Sequence, residues 1–291
     1  VEIADSVEAI GSYAFYGCYN LTEIDVPDNV KTIGGSVFAY CAELKKVTIP
    51  ASVKSLGANA FNGCSTITEM AIPEGITALP DGFFKNCYKL SSVTLPSTLT
   101  SIGNSTFMGC TALETIDLPD NLTTIGDYAF RSCSMLHELE LSNNITSIGN
   151  SAFRDCSALV SIILSEGWTS IPNELFYGCT SLQHVTLPNG ITALPAHLFY
   201  GCTSLQSVDM PDGIISFGSY CFSGCTSLRD FDLPSSLKTI NDNAFQNCAT
   251  LTRMNIPEGA TNIGKSAFEG CINLTSATLP STLTSVGTYA F

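Results

Sequence analysis

The sequence has few of the residues that nucleic-acid-binding and membrane-bound proteins require. Lys and Arg together number 12 against 26 Asp and Glu, which gives a net charge of −14. Phosphate recognition needs clustered Lys and Arg, so this balance argues against nucleic acid as a partner and against an anionic membrane surface. No apolar run approaches the roughly 18 residues that span a bilayer. We therefore expect no membrane insertion by this segment.

A single period organises the whole chain. Cysteine recurs every 23 residues from Cys18 to Cys271, and phenylalanine does so from Phe15 to Phe291. Such a step is typical of stacked repeats, in which each unit buries its apolar face against its neighbours. We therefore predict one solenoid domain, residues 1–291, of about 12.5 repeats. Both ends lie inside repeat sequence, which indicates truncation at both ends and favours end-to-end self-association of the fragment.

The repeat at residues 18–40 shows what one unit, or rung, contains. Apolar and polar residues alternate in its first part, which predicts a short strand that ends at Pro27. Residues 30–33 form a second short extended segment, and residues 35–40 are predicted to form a single helical or 3₁₀ turn. Stacking such rungs gives a parallel β-sheet on a concave face, with Phe, Cys, Leu and Ile as interior ladders.

The complete pattern is L-x-x-I-x-L-P-x-x-L-x-x-I-G-x-x-A-F-x-x-C. One rung matches it at Leu113, Ile116, Leu118, Pro119, Leu122, Ile125, Gly126, Ala129, Phe130 and Cys133. This pattern resembles the BspA-like, Treponema-type leucine-rich repeats, and the resemblance covers the whole chain. It implies a leucine-rich repeat solenoid in a surface protein, located outside the cell or at its surface. It also implies adhesion to host matrix proteins or to other microbial surface proteins.

Departures from the pattern are few. The glycine after the second segment is replaced at Pro80, Pro172, Pro195 and Asn241, and Trp168 fills a column of Val, Ile and Leu. Because that column points inward, we predict that Trp168 packs in the core.

Catalytic and metal-binding patterns are missing from the sequence. There are three histidines, and no nucleophile, zinc-protease or phosphate-loop motif occurs. Twelve of the 13 cysteines share one column, whereas a metal site needs ligands that converge on a point. Stacked side chains also point in parallel, which disfavours disulfides and favours buried thiols. We therefore predict a protein that is not an enzyme and that has no metal site and no cofactor.

The strand positions that point away from the core are mostly acidic. The two outward columns hold nine carboxylates, opposed only by Lys46 and Arg253. Asp209 and Asp232 share a column on adjacent rungs. Such a face attracts a basic partner or a divalent cation. It is equally the kind of solvated face that keeps a long sheet from aggregating.

Two apolar residues interrupt this polar face. Val160 and Ile163 lie in outward columns, which predicts the centre of an interface, although single surface hydrophobic residues are also normal. The predicted partner-binding residues are His137, Glu138, Glu140, Val160, Ile163, His184, Thr186, Asp209, Asp230 and Asp232. The sequence thus favours a non-catalytic protein-recognition or adhesion module. The alternative is a passive spacer that holds another domain away from the cell surface.

Overall fold

The computed structural model describes residues 1–229 and 231–291 and shows a parallel β-solenoid of about twelve turns. The chain divides into two compact units, Val1–Cys156 and Ser157–Phe291, which we call unit one and unit two. Among the described residues there is no helix, and every strand pair is parallel.

Most rungs contribute strands of two kinds. Face strands have three residues: β2 Glu23–Asp25, β4 Lys46–Thr48, β6 Glu69–Ala71, β8 Ser92–Thr94, β12 Ser161–Ile163, β13 His184–Thr186, β15 Ser207–Asp209, β18 Arg253–Asn255 and β20 Ser276–Thr278. Edge strands have two residues: β1 Ala9–Ile10, β3 Thr32–Ile33, β5 Ser55–Leu56, β7 Ala78–Leu79, β9 Ser101–Ile102, β10 Thr124–Ile125, β11 Ser147–Ile148, β14 Ala193–Leu194, β16 Ser216–Phe217, β17 Thr239–Ile240, β19 Asn262–Ile263 and β21 Ser285–Val286.

The strand register confirms the period. Every paired residue faces the residue 23 positions away, as in Glu23↔Lys46 and Thr124↔Ser147. The edge strands form long sheets, β7–β9–β10–β11 in unit one and β14–β16–β17–β19–β21 in unit two. The face strands form shorter sheets, β2–β4, β6–β8, β12–β13–β15 and β18–β20. Their middle residues point inward and their outer residues point to solvent, as Glu23, Ile24 and Asp25 illustrate.

The segment after each edge strand corrects the predicted helical or 3₁₀ turn. In residues 35–40, Ser36 and Tyr40 have left-handed φ angles of 52° and 62°, which interrupt any helix. The Ala39 and Cys41 N–H groups donate to carbonyls three residues back, on Ser36 and Phe38. The Ser36, Phe38 and Tyr40 N–H groups instead donate to carbonyls of the next rung. These turns thus form a third ladder between rungs, which pairs the backbone without a helix.

Phenylalanine stacks form the centre of the core, as predicted. In unit one the stack runs from Phe15 to Phe153 with ring centroids 5.1–5.9 Å apart. In unit two it runs from Phe176 to Phe291. Trp168 is 5% exposed, which confirms its predicted place in the core.

The glycine that follows most edge strands is required by close contact between rungs. A Cβ atom added to Gly57 would lie 2.2 Å from the backbone nitrogen of Gly35. Equivalent glycines donate an N–H to the preceding rung, as Gly126 does to Ile102 at 2.8 Å. Proline has no N–H to donate. Pro80 follows β7, and the edge ladder is interrupted between β5 and β7. Pro195 follows β14, and β14 pairs only with the next edge strand, β16.

Candidate protein-binding surface on the strand face

In unit two, the strand face exposes a large apolar side chain among polar ones. Ile163 is 71% exposed at the end of β12, and Val160, which precedes the strand, is 41% exposed. Ile163 pairs with Thr186, and Thr186 pairs with Asp209. These residues therefore lie in one outward column, as the sequence predicted, with Thr186 between the hydrophobic side chain and the carboxylate.

A hydrogen-bonded cluster lies beside Ile163 and fixes that carboxylate. His184 Nε2 is 2.9 Å from Asp209 Oδ2, and His184 Nδ1 is 2.8 Å from Ser207 Oγ. The Thr186 hydroxyl donates to Asp209 Oδ2 at 3.1 Å. His184 and Thr186 are half-buried, and Asp209 is exposed. The cluster therefore presents a positioned carboxylate to solvent, next to an apolar contact area.

The other predicted residues do not all belong to this cluster. His137, Glu138 and Glu140 are exposed and lie in unit one, where Glu138 forms only an isolated bridge with Thr115. Asp232 is exposed in unit two. Asp230 lies outside the described residues. The structure thus brings together Ile163, His184, Thr186 and Asp209, with Ser207 as an additional member that the sequence did not single out.

Glutamates at the edge of the face have a structural use. Glu74 accepts from the Ser97 N–H at 3.0 Å and from its hydroxyl at 3.1 Å. Glu258 makes the same pair of contacts with Ser281, and Glu166 accepts from Asn189. These carboxylates link one rung to the next, so part of the acidic character of this region serves stacking.

Shallow hollows occur on the face of unit one where the face ladder is interrupted. One of about 530 Å³ lies between β4 and β6 and is lined by Lys45, Lys46 and Glu69, among others. Another, of about 560 Å³, lies between β8 and the segment 114–117. Their linings are mixed and contain no hydrogen-bonded cluster comparable to that around His184.

Eleven of the twelve cysteines in the predicted thiol column are buried, and Cys18 on the first rung is exposed; Cys221, outside the column, is also buried. Each thiol with a described partner donates to the carbonyl 26 residues earlier, as Cys133 does to Phe107 at 3.2 Å. Burial raises the pKa of the Cys41 and Cys271 thiols to about 11, and that of the deeper Cys110 and Cys133 thiols further. These are unreactive packing groups. In the described part of the chain no group of three or more His, Cys, Asp or Glu is placed to hold a metal ion.

An aromatic cluster on the turn segments of unit two was not predicted from the sequence. The rings of Tyr177 and Tyr200 stack with centroids 4.6 Å apart, and those of His197 and Tyr220 at 5.0 Å. The signal was present, because residues 175–183 and 198–206 share the identical sequence LFYGCTSLQ. The repeat places these rings in shared columns, but the helical turn that the sequence predicts for this segment does not show which of its columns point outward.

Comparisons with known proteins agree with this architecture. The family described as BspA type leucine rich repeat region matches residues 1–111, 77–204 and 169–291. A search of curated protein sequences finds no match. The part of the chain that the structure describes forms no helix that could cross a membrane.

Solved structures from several bacteria are similar. A leucine-rich repeat protein from Bacteroides ovatus is 34% identical with a TM-score of 0.83, over 98% of this chain and 82% of that one. One from Eubacterium ventriosum is 26% identical with a TM-score of 0.67, over 93% and 82%. The pneumococcal vaccine antigen PcpA, 19% identical with a TM-score of 0.54 over 97% and 75%, shares the fold.

Proposed function

Because this chain belongs to the BspA-type leucine-rich repeat family, we propose that it is a protein-recognition module of a surface protein, with its binding site on the strand face of unit two. The observation that carries the proposal is the 71% exposure of Ile163. In the same column, other rungs have Asp, Glu, Thr, Asn or Ala. A large apolar side chain at a solvent-facing strand position contributes more to a contact with a partner than to the fold.

The chemistry around Ile163 specifies the partner. Covering an isoleucine side chain is worth about 1.5–3 kcal/mol, so an apolar residue of the partner belongs over it. Asp209 and Asp232 add negative charge to the same face, which speeds the approach of basic surfaces and disfavours acidic ones. We therefore expect a partner with an apolar residue flanked by Lys or Arg, such as a host matrix or microbial surface protein.

The hydrogen bonds of Asp209 support this assignment. His184 and Thr186 hold the carboxylate in place before any partner arrives. A fixed acceptor loses less conformational entropy on binding than a free side chain does. An Arg or Lys of the partner would therefore meet a preorganised carboxylate beside its apolar anchor.

A phage-displayed library of random peptides, panned on the immobilised chain, tests the proposal without requiring an identified partner. We expect enrichment of peptides with an apolar residue beside Lys or Arg. Ile163→Asp should weaken their binding by about tenfold or more, the loss typical of an interface anchor. Ile215→Asp changes another exposed isoleucine of unit two, 48% exposed, and should leave binding unchanged.

Purified host matrix proteins, tested against the same variants by biolayer interferometry, extend the assay to whole partners. Peptides that bind wild type and Ile163→Asp equally would contradict the assignment of the site. If no peptide and no matrix protein binds, the passive spacer becomes the better account. Digestion of the chain by protease added to intact producing cells would test the surface location.

A further inference from the structure

The turn segments of unit two carry a second surface that the strand face does not explain. Four half-buried rings form two stacks there, beside a row of glycines and a row of exposed threonines. We call this surface the aromatic strip; it consists of Tyr177, His197, Tyr200, Tyr220, Gly178, Gly201, Gly224, Thr180, Thr203 and Thr226. Neighbouring stacks also contact each other, with His197 and Tyr200 centroids 5.9 Å apart. The rings are therefore fixed in position.

The backbone under two of these rings is unfavourable for aromatic residues. His197 and Tyr220 have left-handed φ angles of 58° and 59°. Bulky side chains rarely adopt this region, whereas Gly and Asn do so at lower cost. The same column holds Gly82 and Asn243 on other rungs, and it also holds Tyr13, Tyr128 and Tyr289. His197 and Tyr220 differ from these tyrosines because they occupy consecutive rungs and stack, so the stacked pair distinguishes this surface.

The glycine row leaves the backbone beside the rings uncovered. A Cβ atom added to Gly201 would meet only the Gly178 Cα, at 4.0 Å, and one added to Gly224 would meet only backbone atoms of Gly201, from 3.6 Å. No side-chain atom lies within 4 Å of either added Cβ atom. A ligand can therefore approach the backbone closely along the row.

The threonine row supplies oriented hydroxyl groups. The Thr203 hydroxyl donates to the Thr180 carbonyl at 3.2 Å, and the Thr226 hydroxyl donates to the Thr203 carbonyl at 3.2 Å. Each oxygen keeps lone pairs with which to accept hydrogen bonds. The tyrosines add phenolic hydroxyls that both donate and accept.

The strip is uncharged in a strongly acidic chain. Residues 175–183, 196–206 and 213–228 contain no Asp, Glu, Lys or Arg, although the net charge of the chain is −14. Glu174, which precedes His197 in the same column, lies at its border. Because charge steers partner choice, an uncharged surface suits an uncharged ligand. This separates the strip from the acidic strand face.

We propose that the aromatic strip binds an extended, uncharged polysaccharide. Sugar units combine apolar C–H groups with many hydroxyls. Because Tyr177 stacks on Tyr200 and His197 on Tyr220, a sugar chain that runs along the strip would lay its C–H groups across the ring edges and its hydroxyls along the hydroxyl row. The strip repeats from rung to rung, with ring spacings of 4.6 and 5.0 Å, so successive sugars of a linear chain meet equivalent groups. Fixed rings also lose little entropy on binding.

Affinity electrophoresis of the whole chain in native gels tests this proposal. The probes are soluble xylan, mixed-linkage β-glucan and galactomannan, with alginate as a charged comparison. We expect at least one neutral polymer to retard the chain and alginate not to. Tyr200→Ala should weaken the retardation about tenfold, since it removes a central ring of the strip. Tyr128→Ala, in the same turn segment of unit one, should leave it unchanged, as should Ile163→Asp.

Circular dichroism establishes that each variant is folded. If Tyr200→Ala does not fold, Thr203→Val replaces it, because it keeps the side-chain shape and removes one hydroxyl of the strip. The proposal is overturned if no neutral polymer retards the chain. It is equally overturned if the folded strip variant is retarded like wild type, or if Tyr128→Ala loses as much retardation as Tyr200→Ala.

Discussion

The interior of each unit is regular from rung to rung, whereas its strand face is not, although both arise from the same repeat. Inside, phenylalanine rings stack on every rung of both units, and the thiols repeat the same hydrogen bond. On the face, the ladder is divided into sheets of two or three strands. The phenylalanine and cysteine columns hold one residue type almost throughout and the other interior columns are apolar, whereas the outward columns mix acids, hydroxyls and apolar residues. The interior of a rung therefore repeats more regularly than its strand face.

Repulsion between two carboxylates accounts for one interruption of the hydrogen-bonded ladder on the strand face. Asp117 and Glu140 occupy the same outward column on consecutive rungs of unit one. Among the described residues of these two rungs, the face has only the isolated bridge between Thr115 and Glu138. Like charges directly opposite each other destabilise paired strands. The edge of the face largely avoids this problem, because from Asp28 onward its acids, such as Glu74 and Asp120, alternate with uncharged residues on the rungs between them.

The largest loss of stability is expected from removing a phenylalanine ring from the interior. Phe130 is fully buried between Phe107 and Phe153, with centroids 5.1 and 5.8 Å away. Phe130→Ala should lower the free energy of unfolding by about 3–5 kcal/mol through lost contacts and a cavity. Urea titration measures it, with Met135→Ala, at a side chain 47% exposed, as the matched control. Equal losses in the two variants would contradict the difference between interior and surface.

A further test of the interior is its dependence on pH. Burial raises the pKa of Cys41 and Cys271 from 9.0 to about 11. A raised folded-state pKa means that the stability from protonated thiols is fully present below about pH 9 and is lost as the pH rises through 11. Urea midpoints measured from pH 8 upward should therefore begin to fall above about pH 9, and the deeper thiols should extend the fall beyond pH 11. Cys41→Ala should show a smaller fall, and an identical fall would contradict the assignment.

A small gain in stability is expected when a carboxylate is removed where the strand face is interrupted. Glu140→Thr removes one of two adjacent carboxylates and introduces the residue that this column holds at Thr48 and Thr94. The free energy of unfolding should rise by roughly 0.2–1 kcal/mol, and added salt should reduce this gain. Glu138→Thr, on the same rung but between Thr115 and Ser161 in its own column, is the matched control and should gain less. A loss of stability in Glu140→Thr would show that charge is not the cause.

The smallest change in stability is expected from a substitution at Ile163. Ile163→Thr changes an exposed side chain and restores a residue type common in its column. Its free energy of unfolding should stay within about 0.5 kcal/mol of wild type. A larger loss, measured by the same titration, would mean that Ile163 stabilises the fold and would remove the argument for a binding role.

The parts of the fold that follow from one residue type per column were predictable from the sequence. The period alone gave the register of every strand pair, the phenylalanine stack and the buried thiols. Trp168 could be placed because its column is apolar on other rungs. Of the candidate site, the outward position of Ile163 and its neighbours was predictable by the same reasoning.

The remainder depends on contacts between different columns, which a period does not reveal. The sequence predicts a helical turn in this segment, because Ser36 and Tyr40 are not residues that indicate left-handed backbone. The cluster of His184, Ser207 and Asp209 joins two outward columns on two rungs, so it required side-chain directions. The interruptions at Pro80 and Pro195 were visible as departures, but the N–H that they remove was recognised only in the structure.

The two identical nonapeptides at 175–183 and 198–206 have a consequence for how the molecule can change in length. Recombination between the DNA segments that encode them would remove or add one whole period and leave each column in register. A chain without residues 184–206, for example, joins Gln183 to Ser207 just as Gln206 joins Ser207 now. A protein of this construction can be shortened or extended stepwise during evolution, and the area that it offers to ligands changes in proportion.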